Sequence, residues 1–372
     1  MLYRQMGKLD ENVSLLGMGA MRLPTDAEGA IDEAASIALI RKAIDGGINY
    51  IDTAFLYPKS EKILGKALKD GYRQKAYIAD KLNPALIKEE GDMESLLSKC
   101  LERLDTDYID FFLVHNIFDK TWKKVQKWNF LDFLEEKKKE GKIRHLGFSF
   151  HGDLDLFKEV IDAHPWDFCQ IQLNFMDAEF QAGVAGVDYA YDKGVGVIVM
   201  EPLKGGRLTT NIPPAVQEIW DAAPWQKTPA HWAFKWLVSN PKISLILSGM
   251  SSEEQLAENL EIFNDPEIGT ISEEQCALLY KVADKYRELV KYSCTGCGYC
   301  MPCPQRIDIP YVLSMYNDWL AFDRPGSVKF EYTGWTAKHG SDCADCHACE
   351  DKCPQHLPIA QAMKEAAEEF GL

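Results

Sequence analysis

The chain has 372 residues, of which 46% are hydrophobic, and a formal charge of −16. That length accommodates a barrel of about 250 residues and a small second module. An acid excess of this size argues against a nucleic-acid partner, because gripping a phosphate backbone takes clustered lysine and arginine. The opening MLYRQMGKLDENVSLLG has no apolar core behind positive charge, and no apolar run approaches the ~18 residues that cross a bilayer. A soluble cytoplasmic protein with no membrane partner is the expectation.

Residues 2 to 16 predict two short strands around Lys8 to Asn12, and LLGMGAMRL then supplies a first barrel strand with a glycine-rich exit through Gly19 and Met21. Gly17 and Gly19 complete no G-x-G-x-x-G fingerprint, so a Rossmann domain is unsupported. Apolar runs at about 14–19, 48–52, 76–80, 108–114, 144–149, 167–173, 195–200 and 243–248 alternate with amphipathic segments such as 33–46, 92–104 and 153–163. Eight strands interleaved with helices predict an α/β fold, a closed parallel (β/α)8 TIM barrel. The charged run Glu135 to Lys142 reads as the solvated end of a helix stopped by Gly141. ISEEQCALLYKVADKYRELV, from Ile271, predicts the helix that ends the barrel. Proline, cysteine and aromatic residues then replace the strand and helix rhythm, which puts a boundary near Tyr292 and divides the chain into modules 1–292 and 293–372.

Three strands stop on a polar residue in the same phase of this alternation: NYIDTAFLYP on Asp52, AYIADKL on Lys81 and YIDFFLVHN on His115. Tyr57 follows Asp52 in a loop. Singly, each has a bland explanation: a helix cap, a solvated strand end, a hydrogen-bonded rim histidine, half-buried packing. Together they converge on one rim of a barrel, where βα units collect their chemistry. Carbonyl reduction needs hydride delivered to carbon and a proton delivered to oxygen. A phenol is a poor acid near neutral pH unless a lysine stabilises the phenolate and a carboxylate holds that lysine. Tyr57, Lys81 and Asp52 fit those roles, with His115 orienting the carbonyl or relaying the proton.

These motifs, together with the later EGKIRHLGFS and QLAENL, resemble the aldo-keto reductases over roughly residues 1 to 290. The resemblance implies that Asp52, Tyr57, Lys81 and His115 form the catalytic tetrad, that the first hairpin plugs the barrel floor, and that NAD(P)H is the cofactor. Ser149 and Gln170 match the family's nicotinamide contacts, but Phe150 stands where asparagine is usual and Met200 where an aromatic ring stacks. Glu258 and Asn259 are kept; Gly249, Met250 and Gln255 replace the lysine, serine and arginine that hold a 2′-phosphate. Without those charged donors NADH is favoured over NADPH, with Lys204 and Arg207 as candidate substitutes. Gly19, Met21, Pro202 and Leu203 complete the candidate cofactor contacts.

Eight of the eleven cysteines fall between Cys294 and Cys353; Cys100, Cys169 and Cys276 read as core residues. CTGCGYCMPCP places Cys294, Cys297, Cys300 and Cys303 at two-residue gaps, and CADCHACEDKCP places Cys343, Cys346, Cys349 and Cys353 at gaps of two, two and three. The second run is the bacterial ferredoxin pattern, in which three thiolates hold one cube and the fourth reaches the other cluster. Two [4Fe-4S] clusters are expected: one on Cys294, Cys297, Cys300 and Cys353, the other on Cys343, Cys346, Cys349 and Cys303. Zinc ribbons have no use for four cysteines in ten residues, and disulfides do not suit a cytosolic chain.

A nicotinamide gives two electrons as hydride whereas each cubane accepts one, so the modules pose a coupling problem. A flavin in the barrel, an external one-electron carrier, or purely structural clusters would each resolve it; no flavin signature occurs in the chain. The first functional reading is a nicotinamide-dependent carbonyl or alcohol oxidoreductase coupled to the clusters. The second is an iron-sulfur electron-transfer protein whose barrel docks a redox partner or flavin. Residues 293 to 372 carry 11 Asp and Glu against 6 Lys and Arg, a balance that suits a basic partner but also an ordinary solvated surface. Substrate choice falls to the loops after Tyr57, from Ile117 to Trp128 and from Leu208 to Trp225, whose aromatic residues hint at an apolar or ring-bearing substrate or simply cap the mouth.

Overall fold

The computed structural model of the chain describes residues 1–89, 91–294 and 296–372. An antiparallel hairpin, β1 (Tyr3–Gln5) with β2 (Asn12–Ser14), precedes eight parallel strands. These are β3 (Leu16–Gly19), β4 (Tyr50–Asp52), β5 (Tyr77–Leu82), β6 (Ile109–Ile117), β7 (Ile143–Phe150), β8 (Phe168–Gln172), β9 (Gly196–Met200) and β10 (Leu245–Ser248), and they close in sequence order, β10 pairing with β3. The eight-stranded barrel read from the apolar runs is the fold. Strand β5 runs to Leu82 and β6 to Ile117, past Lys81 and His115, because a polar residue facing the barrel interior interrupts the apolar run without ending the ladder.

Helices fill the connections where the amphipathic segments predict them, at Glu33–Asp45, Asp92–Leu104 and Leu154–Ala163. Asp32 and Asp153 start two of these by accepting hydrogen bonds from Ala35 N and Leu156 N, each at 2.9 Å, which satisfies amides the helix itself cannot. The charged run at 135–142 ends helix Phe130–Lys139, and Gly141 turns away at φ 76°.

The barrel strands are largely buried on both faces, and the pleat sorts their residues between two cores. On β6, Phe112 and Val114 join the outer core beneath the helices, whereas Phe111 and Leu113 face inward. The same alternation puts Tyr50, Ala79, Phe168, Ile198 and Leu245 inside. Phe111 lies at the centre of this inner core, with the rings of Tyr50, Tyr77, His145 and Phe168 at 5.0–5.5 Å. Met6 and Val13 of the hairpin join it, so the floor is plugged. The plug requires glycine at two places: a Cβ on Gly7, at φ +56°, would lie 2.4 Å from Gly196 N, and one on Gly196 2.6 Å from Met6 Sδ.

The chain divides into two compact units, Met1–Lys204 with Ala230–Ser272, and Gly205–Pro229 with Glu273–Leu372. Helix Glu273–Glu288 packs against helix Pro214–Asp221, so the change of composition at 292 marks the start of the cysteine loops and not the edge of a compact unit. Within this second unit, helices Ile309–Ala321, Gly326–Trp335 and Ile359–Phe370 share a core in which Tyr332 stacks on Phe370 at 4.0 Å. Glu365 ties them to the preceding segment, accepting hydrogen bonds from Lys291 Nζ at 2.7 Å, Tyr292 OH at 2.6 Å and Tyr316 OH at 3.2 Å. No helix among the described residues is long and apolar enough to cross a membrane.

Candidate active site and cysteine cavities

Strand parity carries the inner face upward into polar residues. Tyr50 is followed in phase by Asp52, Ala79 by Lys81, Leu113 by His115, and Phe168 by Gln170. Lys81 Nζ, fully buried, donates to Asp52 Oδ1 and to Thr53 O at 2.7 Å. Gln170 Nε2 donates to Asp52 Oδ2 at 3.0 Å, so both carboxylate oxygens are held. The turn bearing Tyr57 is pinned by Tyr57 N to Ala54 O at 2.9 Å and by the chain of hydroxyls Thr53 to Ser60 to Ala20 O at 2.7 and 2.9 Å. It sets the phenol ring 5.1 Å from Lys81 Nζ and edge-on to the His115 ring at 6.1 Å. The four residues read as a tetrad stand together.

Their electrostatics follow from burial opposed by one cation. Burial works against the Lys81 ammonium, but Asp52 and then Tyr57 and Asp80 outweigh it and raise its pKa, so Lys81 stays charged. For Tyr57, burial raises the phenol above its ordinary value, and Lys81 offsets that rise only in part. His115 is held well below the usual imidazole value by burial and then by Lys81 and His151, and its Nδ1 is buried without a hydrogen-bond partner among the described residues.

Other inferred cofactor residues divide. Ser149, Gln170, Pro202 and Asn259 are buried, and Met200 and Glu258 are half-buried. Ser149 Oγ accepts the Asn116 amide at 2.8 Å, and Asn259 Nδ2 donates to Ser248 Oγ at 2.9 Å, so these two side chains build the rim. Gly19 ends β3, while Met21, Gly249 and Gln255 are exposed. The Gln255 amide oxygen accepts from Ser251 N at 2.8 Å, and Leu203 packs on the outer core. The candidate phosphate cations are engaged: Lys204 pairs with Asp177 at 3.0 Å, and Arg207 with Asp318 at 2.8 Å and Glu331 at 2.6 Å. Trp122 is buried in the outer core and donates to Glu159 at 2.7 Å.

Three groups at the mouth went unread in the sequence. His151 follows β7, Glu201 follows β9 in the left-handed region at φ 55°, and Arg22 lies 3.6 Å from Glu201. The alternation His145, Gly147, Ser149, His151 was the available signal for the first of them. Behind Lys81, on the outer face, Glu61, Asp80 and Cys100 bring their polar atoms within 4.8 Å of one another, all buried. Burial and then Glu61 push the Asp80 carboxyl well above the usual range.

In the second unit, Cys294, Cys297, Cys300 and Cys353 line one cavity with Pro310 and Leu313. Cys303, Cys343, Cys346 and Cys349 line another with Ile307 and Met363, and Ile359 borders both. Left-handed residues bend the two loops at matching positions: Gly296 and Gly298 in the first, Asp345 and His347 in the second. Burial raises the Cys294, Cys300 and Cys349 thiols, the last to about 11, so metal binding there would displace protons. Gly296 N–H donates to Cys294 Sγ at 3.5 Å, the kind of contact that tunes a cluster thiolate. Four sulfurs in an apolar pocket, twice over, fit two cubanes.

Comparison with known proteins accounts for both units. The model of the aldo/keto reductase family matches residues 15–284, and that of the 4Fe-4S dicluster domain matches residues 293–357. L-galactose dehydrogenase of Arabidopsis thaliana is 31% identical over 283 residues, 69% of this chain and 86% of that protein. NADH-specific methylglyoxal reductase of Escherichia coli is 26% identical over 316 residues, 70% of this chain and 92% of its own. Among solved structures, aldo-keto reductase AKR11C1 from Bacillus halodurans, holo form, is similar with a TM-score of 0.64 and 25% identity, covering 76% of this chain and 96% of that one. The chain is an oxidoreductase that belongs to the aldo/keto reductase family, with a 4Fe-4S dicluster domain following its barrel.

Proposed function

We propose that the barrel interconverts a small carbonyl and its alcohol, with Tyr57 as the proton donor, and that the eight cysteines hold two [4Fe-4S] clusters serving as a one-electron relay. The observation that carries the first part is the closed arrangement in which Asp52, itself held by Gln170, fixes Lys81 beside the Tyr57 ring. As hydride reaches the substrate carbon, negative charge builds on its oxygen. Tyr57 releases its proton to that oxygen, and the Lys81 ammonium stabilises the phenolate left behind. Neutral His115 orients the carbonyl without adding a competing charge.

The nicotinamide supplies the hydride when bound, and Ser149, Gln170, Met200 and Asn259 are the residues of this chain that would hold it. NADH is the form these contacts suit. Gly249 and Gln255 offer a 2′-phosphate no cation, and Lys204 and Arg207 are committed to carboxylates. The NADH-specific relative from Escherichia coli points the same way.

The cluster assignment is Cys294, Cys297, Cys300 and Cys353 for one cube and Cys303, Cys343, Cys346 and Cys349 for the other, within an iron-sulfur module that begins at residue 293. Coupling a hydride to one-electron acceptors requires a group that takes two electrons and returns them singly, the property of a flavin, or an external carrier that draws the clusters' electrons elsewhere. Anaerobic titration with NADH, followed by cluster absorbance and spin signal, tests the relay. Bleaching is expected. Aldehyde reduction with the clusters unbleached would reduce them to structural pins.

A further inference from the structure

Behind Lys81, three side chains that no step of carbonyl reduction uses turn toward one another: Glu61 from helix Ser60–Ala67, Asp80 from β5 and Cys100 from helix Asp92–Leu104. Strand parity sends Lys81 into the barrel and Asp80 out of it, beneath those helices. The two helices can approach because Gly65 leaves room, a Cβ there lying 2.6 Å from Leu104 O. One turn earlier on each helix stand Glu61 and Cys100, so the same approach sets them side by side. Donor atoms of all three residues lie within 4.8 Å of one another. Glu61 is 2% exposed, and Asp80 and Cys100 are 0% exposed.

One oxygen of each carboxylate is held and the other is bare. Glu61 Oε2 accepts from Arg103 Nη1 at 2.7 Å, and Asp80 Oδ1 accepts from Lys81 N at 2.8 Å. Glu61 Oε1 and Asp80 Oδ2 are buried with no hydrogen-bond partner among the described residues. A buried carboxylate oxygen in that state carries its full desolvation cost until a ligand meets it. We infer that Glu61, Asp80 and Cys100 form a closed site for one divalent metal ion of the zinc class, with donors of its own apart from the eight cluster cysteines. One sulfur and two carboxylates suit a borderline ion such as Zn²⁺, whereas Mg²⁺ and Ca²⁺ take oxygen alone. Two carboxylates and a thiolate make three negative charges, which a divalent ion and the Arg103 guanidinium cancel. In the metal-free chain burial keeps protons on Asp80 and Cys100 instead, and the ion displaces both. Bound there, it ties both helices to β5 directly behind Lys81, through the carboxylate that also accepts the Lys81 amide.

The test uses the full chain with its clusters, produced without oxygen in medium supplied with iron and Zn²⁺ and then passed over a chelating resin. Elemental analysis should find one zinc per chain beside the iron. X-ray absorption at the zinc edge should show a single sulfur at about 2.3 Å with oxygens at about 2.0–2.2 Å. Cys100→Ala should lose the zinc and keep the parental iron content. A parent without zinc, zinc surrounded by four sulfurs as a stray ion in the cysteine loops would be, or zinc retained in Cys100→Ala overturns the inference. Should Cys100→Ala fail to fold, the sulfur count around the zinc of the parent decides by itself.

Discussion

In the barrel the polar side chains satisfy one another: Lys81 binds Asp52 and the Thr53 carbonyl, Gln170 completes Asp52, and Ser149 caps the Asn116 amide. In the cysteine unit eight thiols line two cavities, and the loops that carry them are bent by left-handed residues. The carboxylate and ammonium of the first site are therefore held by the fold, on strands buried among some of the largest apolar residues of the chain. The second depends on the metal for its closure, as small metal-bearing modules commonly do. One difference within the cysteine unit repeats the lesson. Glycine occupies both left-handed positions of the first loop, whereas Asp345 and His347 take them in the second at roughly 1 kcal/mol or more each.

The widest gap between the two units should open on removing iron. Anaerobic chelation is expected to abolish the visible absorbance and the cooperative unfolding of the cysteine unit while the barrel's own transition remains. A single transition that shifts as a whole would erase the distinction. Within the barrel, Asp52→Asn leaves a buried ammonium uncompensated and should cost about 3–5 kcal/mol in urea unfolding, with the iron signal retained.

A smaller effect is read through pH. Asp80 keeps its proton to higher pH in the folded chain than in the unfolded one, so the native state binds more protons and stability falls as pH rises through the folded value. Asp80→Asn should flatten that loss. On the acid side, His115 and His151 stay neutral while their unfolded counterparts protonate near 6.5, so stability falls as pH drops from there toward about 4. The smallest change is Asp345→Gly, which relieves a left-handed residue at the position Gly296 holds in the other loop. It should raise the melting point of the holo protein by an amount equivalent to about 1 kcal/mol. A loss instead would show the Asp345 carboxylate, 3.4 Å from His347, to matter more than its backbone.

Much of this architecture was legible in the residues themselves. Eight apolar runs gave eight strands because a parallel strand covered on both faces is apolar over most of its length. The tetrad and the eight cysteines stood out because their spacing has few other uses. What escaped was relational. Lys204 and Arg207 look like free cations in sequence, and only the fold shows the carboxylates that hold them. Glu61, Asp80 and Cys100 come from three different segments and meet behind Lys81. The grouping of 205–229 with the C-terminal helices depends on packing between residues some 60 positions apart, which no local pattern records. His151 was within reach, since counting by twos from His145 arrives at it, but a lone histidine beyond a strand end carries little weight until its neighbours are known.

The most direct test follows a deuterium from the nicotinamide C4 position to product in the parent and in Tyr57→Phe. The parent should transfer one deuterium per turnover to the carbonyl carbon. The variant should bind the nicotinamide with a Kd within about two-fold of the parent's while transferring at a rate lower by on the order of 10²–10⁴, the range a positioned acid contributes. Transfer at the parental rate by Tyr57→Phe would contradict the account.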